Sequence, residues 1–240
     1  MKTNYDTIAF KNKSDIQISK RNAYHQAGHA AAIYIGNKQK NLPAVHFQLV
    51  TQSQRQESIM YARFLSKYEL KLEGGRLLED LPCCLQTATR RLTPAEYRQC
   101  QCAVEADVTN LLAGYLAEAK HVALDDGEIF NANLVYLGAL KYYGGSADLE
   151  LIHEYMACLI PENNAERRQK LAELFLAAYS FINDPSNWLS IATVAEAICA
   201  EPQAIFTCEE LIGLLDTPNP GYTKKPAYAA NTNMYEQAIS

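Results

Sequence analysis

The sequence predicts a mainly α-helical single domain carrying one short β-hairpin, on three observations. Thr93-Pro94-Ala95-Glu96, Asp184-Pro185 and Thr207 with Glu210 each read as a helix start, with a side-chain oxygen to cap and a proline or glutamate in the first turn. Apolar residues recur every three or four positions through Cys100, Val104, Val108, Leu111, Leu112 and Leu116, which is the stripe of a core-facing helix. Alternating character marks Val45 to Val50 and, past the polar loop Thr51 to Glu57, Ser58 to Arg63; these read as a short antiparallel pair.

In chain order, residues 1–14 are polar and irregular and are expected to be a flexible N-terminus. A helix then begins near Ser14 or Ser19, runs through His25 and His29, and stops at Gly36-Asn37, a good pair for a C-terminal cap. Ala23, Ala27, Gly28, Ala30 and Ala31 make this helix thin, which permits close approach of its neighbours. The strand pair follows, then the long helix opened by Thr93-Pro94. Further helices are expected at about 131–143, 146–160, 165–181, 185–200 and 208–215. From Thr217 to Ser240 three prolines and many small polar residues give little periodicity, so 217–240 reads as a flexible tail and 15–216 as the domain.

Composition narrows the function classes. A net charge of −5 and a pI near 5.6, with Lys11, Lys13, Lys20 and Arg21 scattered, argue against a nucleic-acid partner, which needs a dense basic patch. The seven cysteines, including Cys83-Cys84 and Cys100-x-Cys102, match neither paired zinc knuckles nor a secreted disulfide framework. No apolar run approaches a membrane span and the N-terminus is unlike a signal peptide, so the expectation is a cytoplasmic protein with reduced thiols.

One pentapeptide carries chemistry: His25-Gln26-Ala27-Gly28-His29. In the zinc-peptidase motif H-E-x-x-H, histidines at i and i+4 share one helical face and reach one metal ion, while the glutamate takes a proton from the attacking water. Gln26 keeps the length and shape of glutamate, but its amide cannot accept a proton near neutral pH. The metal geometry is retained and the general base is not.

The surrounding stretch, Ala23-Tyr24-His25-Gln26-Ala27-Gly28-His29-Ala30, resembles the A-Y-H-E-A-G-H-A signature of the FtsH-like family of zinc peptidases, the proteolytic halves of ATP-dependent membrane proteases. Pro43-Ala44-Val45-His46-Phe47-Gln48-Leu49-Val50 is similar to that family's P-V-H-x-V-T-I segment, which leads into a short strand pair. Leu112-Ala113-Gly114-Tyr115-Leu116-Ala117-Glu118-Ala119 is similar to its L-G-G-R-A-A-E-E helix, and Gly144-Gly145-Ser146-Ala147-Asp148-Leu149 to its G-A-S-N-D-I turn. The resemblance spans about residues 20 to 160. It implies a zincin-like FtsH peptidase-domain helical fold, with zinc held by His25, His29 and Asp148 and an open fourth position, and a polypeptide as substrate or partner.

The chain departs from that pattern at Gln26, at Tyr115 in place of the arginine and at Ala119 in place of the second acidic residue. It has no G-x-x-x-x-G-K-[ST] loop, so no ATP site is expected, and no membrane anchor is seen. Two residues keep alternatives open. Asp148 could be a first-turn carboxylate gaining about 0.3–1 kcal/mol from the helix dipole without any metal. Glu118 is read either as an acceptor that fixes an imidazole from behind or as a solvated helix residue. His46, His121 and His153 read as packing or boundary histidines, His153 on the stripe of Leu149, Ile152 and Met156.

Three functions compete on these residues: a metallopeptidase-like domain with hydrolysis weakened or lost, a non-catalytic pseudopeptidase that binds a peptide or partner, and a helical interaction module with structural histidines. Homo-oligomerisation is compatible with each.

Overall fold

Chain order runs α1 (Lys20–Ala31), a π-helical turn (Ala32–Gly36), α2 (Asn37–Gln39), β1 (Phe47–Ser53), β2 (Tyr68–Gly74), α3 (Leu85–Ala88), α4 (Pro94–Asp125), a 3-10 helix (Leu137–Tyr142), α5 (Ser146–Leu159), α6 (Asn164–Asn183), α7 (Pro185–Ala200), β3 (Ile205–Phe206) and α8 (Cys208–Leu215). This computed structural model describes residues 18–53, 68–82, 84–131, 137–143 and 146–217. The tails expected to be flexible, 1–14 and 217–240, lie outside the described residues apart from Thr217, as does the strand expected at 58–63. The fold is mainly helical with a three-stranded sheet, and among the described residues no helix is long and apolar enough to cross a membrane.

Helix α1 is the central element. Its N-cap is Ser19, whose hydroxyl accepts from the Asn22 N–H, and every residue from Ala23 to Ala31 is buried. It packs against α4 on one side, α7 on another and β2 on a third. Burial on all sides is possible because the helix is thin. A Cβ at Gly28 would stand 2.6 Å from Ala117 Cβ and 2.7 Å from the Ala113 carbonyl, so α1 and α4 touch nearly backbone to backbone. Such a crossing admits only glycine.

The helix does not stop at Gly36-Asn37. Gly36 keeps helical dihedrals, and the chain widens into a π turn over Ala32–Gly36 and continues through α2 before ending at Asn41, which adopts the left-handed conformation (φ 55°). Asparagine tolerates that region nearly as well as glycine. With its nitrogen turned towards carbonyls, the Asn110 amide of α4 donates to Ala32 O (3.1 Å) and Ala106 O (3.3 Å), which ties the π turn to α4.

The strand that pairs with β1 is β2, antiparallel from Phe47↔Gly74 to Ser53↔Tyr68, with β3 on the other flank of β1. Tyr68-Glu69-Leu70-Lys71-Leu72-Glu73 alternates apolar with charged at every step, and Tyr68 and Leu70 are buried while Glu69 and Lys71 are exposed. This was the strongest alternation in the chain. The free edge of β2 lies against α1, where Asn22 accepts from Leu70 N–H (2.8 Å) and donates to Leu70 O (3.2 Å), and Gln26 Oε1 accepts from Leu72 N–H (2.9 Å). Two side-chain amides one helical turn apart take the place of a neighbouring strand.

The remaining helices follow their start signals. Thr93 and Glu96 form a capping box on α4, Asp184 caps α7 ahead of Pro185, and Thr207 with Glu210 forms a second box on α8. The helix expected at 131–143 is, in its described part, the 3-10 helix Leu137–Tyr142. Gly138 and the following Gly144-Gly145 leave too short a run to propagate an α-helix. A buried carboxylate, Asp107, accepts from the N–H groups of Leu77 and Leu78 and from the Tyr155 hydroxyl, pinning the chain after β2 to α4 and α5.

Candidate metal centre

His25 and His29, one turn apart on α1, project towards α4 and the first turn of α5. There the Nε2 atoms lie 3.0 Å from each other, and Asp148 Oδ2 lies 3.3 Å from His25 Nε2 and 3.4 Å from His29 Nε2. The two imidazoles are almost fully enclosed, with side chains 3% and 4% exposed, whereas that of Asp148 is 32% exposed and forms the open rim. The three residues thus form a group that could hold a metal ion.

What stands behind the rings fixes their protons. His29 Nδ1 is 2.9 Å from the Asn110 main-chain oxygen, which can only accept, so this nitrogen carries the hydrogen. His25 Nδ1 is 3.1 Å from Glu118 Oε2, again an acceptor. In the neutral tautomers both Nε2 atoms therefore present lone pairs, and Asp148 adds a carboxylate oxygen. Three acceptors converge with no donor between them, an arrangement that calls for a cation.

A proton can be that cation. Burial pulls the His25 pKa down, but the hydrogen bonds and charges of Asp148 and Glu118 outweigh it and raise it to about 9. Burial likewise acts to raise Asp148, and its contacts with His25 and His29 overcome this and hold the carboxyl far below the usual carboxylate range. The pair is thus imidazolium and carboxylate when no metal is bound.

Glu118 is buried, not solvated. Its second oxygen accepts from Arg21 Nε at 2.9 Å and pairs with an Arg21 terminal nitrogen at 2.7 Å, one turn before His25. Tyr115, fully buried on α4, meets the His25 ring edge-on at a centroid distance of 5.0 Å. Gly114 clears the way for His29, since a Cβ there would run into the imidazole.

Gln26 is the other part of the pentapeptide. It is buried, and its carbonyl oxygen is committed to the Leu72 N–H of β2. The remaining histidines stand apart from the centre: His46 precedes β1 and is exposed, and His121 stacks on Tyr24 with ring centroids 4.0 Å apart. His153, expected in the core stripe, is exposed; the stripe runs through Ile152, Tyr155 and Met156, and His153 falls on the opposite face of α5. Comparisons with models of protein families, with curated proteins and with solved structures each find no match for this chain.

Sequence reasoning passed over Asn110, which serves the site through its main chain and so leaves no side-chain signal. It noted Tyr115 and Arg21 without assigning them to the centre, since only the folded α1–α4 pair brings them to His25.

Proposed function

We propose that the chain is a zinc-binding, metallopeptidase-like domain, similar to the proteolytic half of FtsH-type proteases, in which hydrolysis is weakened or lost because Gln26 stands where the general base would be. The observation that carries this reading is the acceptor triangle of His25, His29 and Asp148. Ligand atoms around a tetrahedral ion held at about 2.0–2.1 Å stand about 3.3 Å apart; the three separations are 3.0, 3.3 and 3.4 Å. Two nitrogens and one carboxylate oxygen also suit zinc by type, and three protein ligands leave a position open, as in catalytic rather than structural sites.

When bound, zinc supplies a Lewis acid that polarises a carbonyl and acidifies water. The chain's own residues do the rest. Glu118 and the Asn110 carbonyl hold the two imidazoles in the ligating tautomer, and Arg21 compensates the buried charge of Glu118. Gln26 contributes an amide that can hydrogen-bond but not take up a proton.

The bond from Leu72 N–H to Gln26 also favours a second reading, a pseudopeptidase that binds a peptide or partner protein, because it gives the residue a structural task. A proteolysis assay on unfolded protein separates the two. The natural chain is expected to cleave at a near-zero rate, and Gln26→Glu is expected to raise it by about 10²-fold or more, the usual size of a general-base contribution. A Gln26→Glu variant that binds metal normally and cleaves nothing would establish the binding protein. Efficient cleavage by the natural chain, unimproved by the substitution, would mean another residue is the base.

A further inference from the structure

We propose that Arg21 is a positioning residue of the centre: its guanidinium holds one oxygen of Glu118 so that the other meets His25 Nδ1 and keeps that ring aimed at Asp148. The proposal rests on the metal-binding reading above and deepens it.

Arg21 stands in the first turn of α1, where the helix dipole disfavours a cation. Its side chain is 53% exposed, yet it reaches in to a carboxylate of α4 whose own side chain is 5% exposed. Nε and a terminal nitrogen converge on Glu118 Oε1 at 2.9 and 2.7 Å, which leaves Oε2 to His25 Nδ1 at 3.1 Å. The guanidinium is itself seated: its central carbon lies 6.0 Å from the middle of the Tyr143 ring, within reach of a cation–π contact.

Glu118 crosses from one helix to another on a flexible side chain, and a single hydrogen bond to an imidazole does not fix the plane of a carboxylate. Two donors on the other oxygen do. Arg21 and His25 are four residues apart on α1 and share a face. The guanidinium and the imidazole therefore grip the carboxylate from one rigid helix, at a spacing that the helix sets. A line of contacts runs from the surface at Arg21 through Glu118 to Nδ1, and the ring carries it to Nε2 at the centre.

Position and charge predict opposite signs for the loss of Arg21. A guanidinium acting only through space would repel a bound cation, so removing it would tighten binding. A guanidinium that holds Glu118 in place supports binding, so removing it weakens the site. Arg21→Gln takes away the cation and the fork at an exposed helical position without a large change in helix propensity.

Two measurements on the full chain test this. In the first, Zn2+ affinity is obtained by competition with a chelator for the natural chain, Arg21→Gln, Glu118→Ala, the double variant and Lys20→Gln. The expected result is a loss of about 10-fold for Arg21→Gln, the lower end of what removing a group that orients a metal ligand costs, and no further loss when it is added to Glu118→Ala. Lys20→Gln removes the neighbouring first-turn cation, which pairs with Glu196 of α7 instead, and is expected to keep natural affinity. In the second, NMR on the metal-free chain follows the His25 Nδ1–H, assigned by its absence from His25→Ala. It is expected as a slowly exchanging proton in the natural chain and to be lost to exchange with water in Arg21→Gln.

The proposal is overturned by natural or tighter Zn2+ affinity in Arg21→Gln, by an equal loss with and without Glu118, by a matching loss in Lys20→Gln, or by an unchanged Nδ1–H signal. If the natural chain takes up no Zn2+, the metal reading fails, and the Nδ1–H signal still decides whether Arg21 holds Glu118 against His25.

Discussion

The Nδ1 atoms of His25 and His29 define the centre as much as the Nε2 atoms that face one another, because a ring with its far nitrogen bonded to Glu118 or to the Asn110 carbonyl has one tautomer and one orientation. Asp148 is the residue on which the metal and helix-dipole readings part. A carboxylate serving only the α5 dipole would lose about 0.3–1 kcal/mol of stability on replacement by alanine and leave metal affinity intact. As a member of the acceptor triangle it should lose metal affinity by orders of magnitude in Asp148→Ala, read by titration calorimetry, while the fold persists. A change confined to stability would return Asp148 to the dipole role. At this scale the sequence disclosed that His25 and His29 share one face, because i, i+4 spacing is a property of any helix, whereas Asp148 entered only through the resemblance. It could not disclose Asn110, whose contribution is a main-chain oxygen, or the partner of Gln26, which lies on a strand distant in sequence.

The crossing of α1 and α4 converts that local pattern into a site. Gly28 and Gly114 bring the two backbones together, and Gly114 leaves the space that the His29 ring fills. Gly114→Ala should therefore cost about 1–3 kcal/mol, the usual penalty of overpacking, and should weaken metal binding as well, whereas the same change at Gly213, which has nothing within 4 Å, should spare the centre. Thermal unfolding and Zn2+ titration of the two variants check this; equal behaviour would show that the close approach is not needed. The alanines and the one glycine of α1 announced a tight packing face in the sequence, and the capping boxes announced α4 and α8. The described partner of β1 is Tyr68–Gly74, which alternates more strictly than the expected 58–63, a stretch outside the described residues, and the end of the first helix was set at Gly36 because glycine is the commoner stop. Asn41 took that role, and the π turn that precedes it is held by Asn110 from another helix, a tertiary effect invisible in local sequence.

Seen whole, the molecule wraps its sheet and helices around one helix whose every residue from Ala23 to Ala31 is buried, and it places an ionisable group of three at the end of that interior. This gives the metal-free chain a distinctive pH dependence. His25 has a folded pKa of about 9 against 6.5 unfolded, so the folded state holds its proton more tightly. Its stabilising contribution is fully present below about pH 6.5 and is lost as pH rises through about 9. Chemical denaturation of chelator-treated natural chain and His25→Ala across this range should show the stability gap between them shrinking with rising pH. Taking the difference removes Lys120, whose pKa burial lowers to about 8 and which titrates in the opposite sense. A gap that stays constant would mean that His25 carries no extra proton. Metal binding must displace that proton, so affinity for the ion should rise over the same interval. The most direct measurement is the metal content of the full chain, purified without a histidine tag and without chelators, set beside that of the His25→Ala, His29→Ala double variant. The expected result is one divalent ion, zinc, per natural chain and none in the double variant; a natural chain that is metal-free and takes up no added Zn2+, or a double variant with undiminished content, would contradict the assignment of His25, His29 and Asp148 as a metal centre.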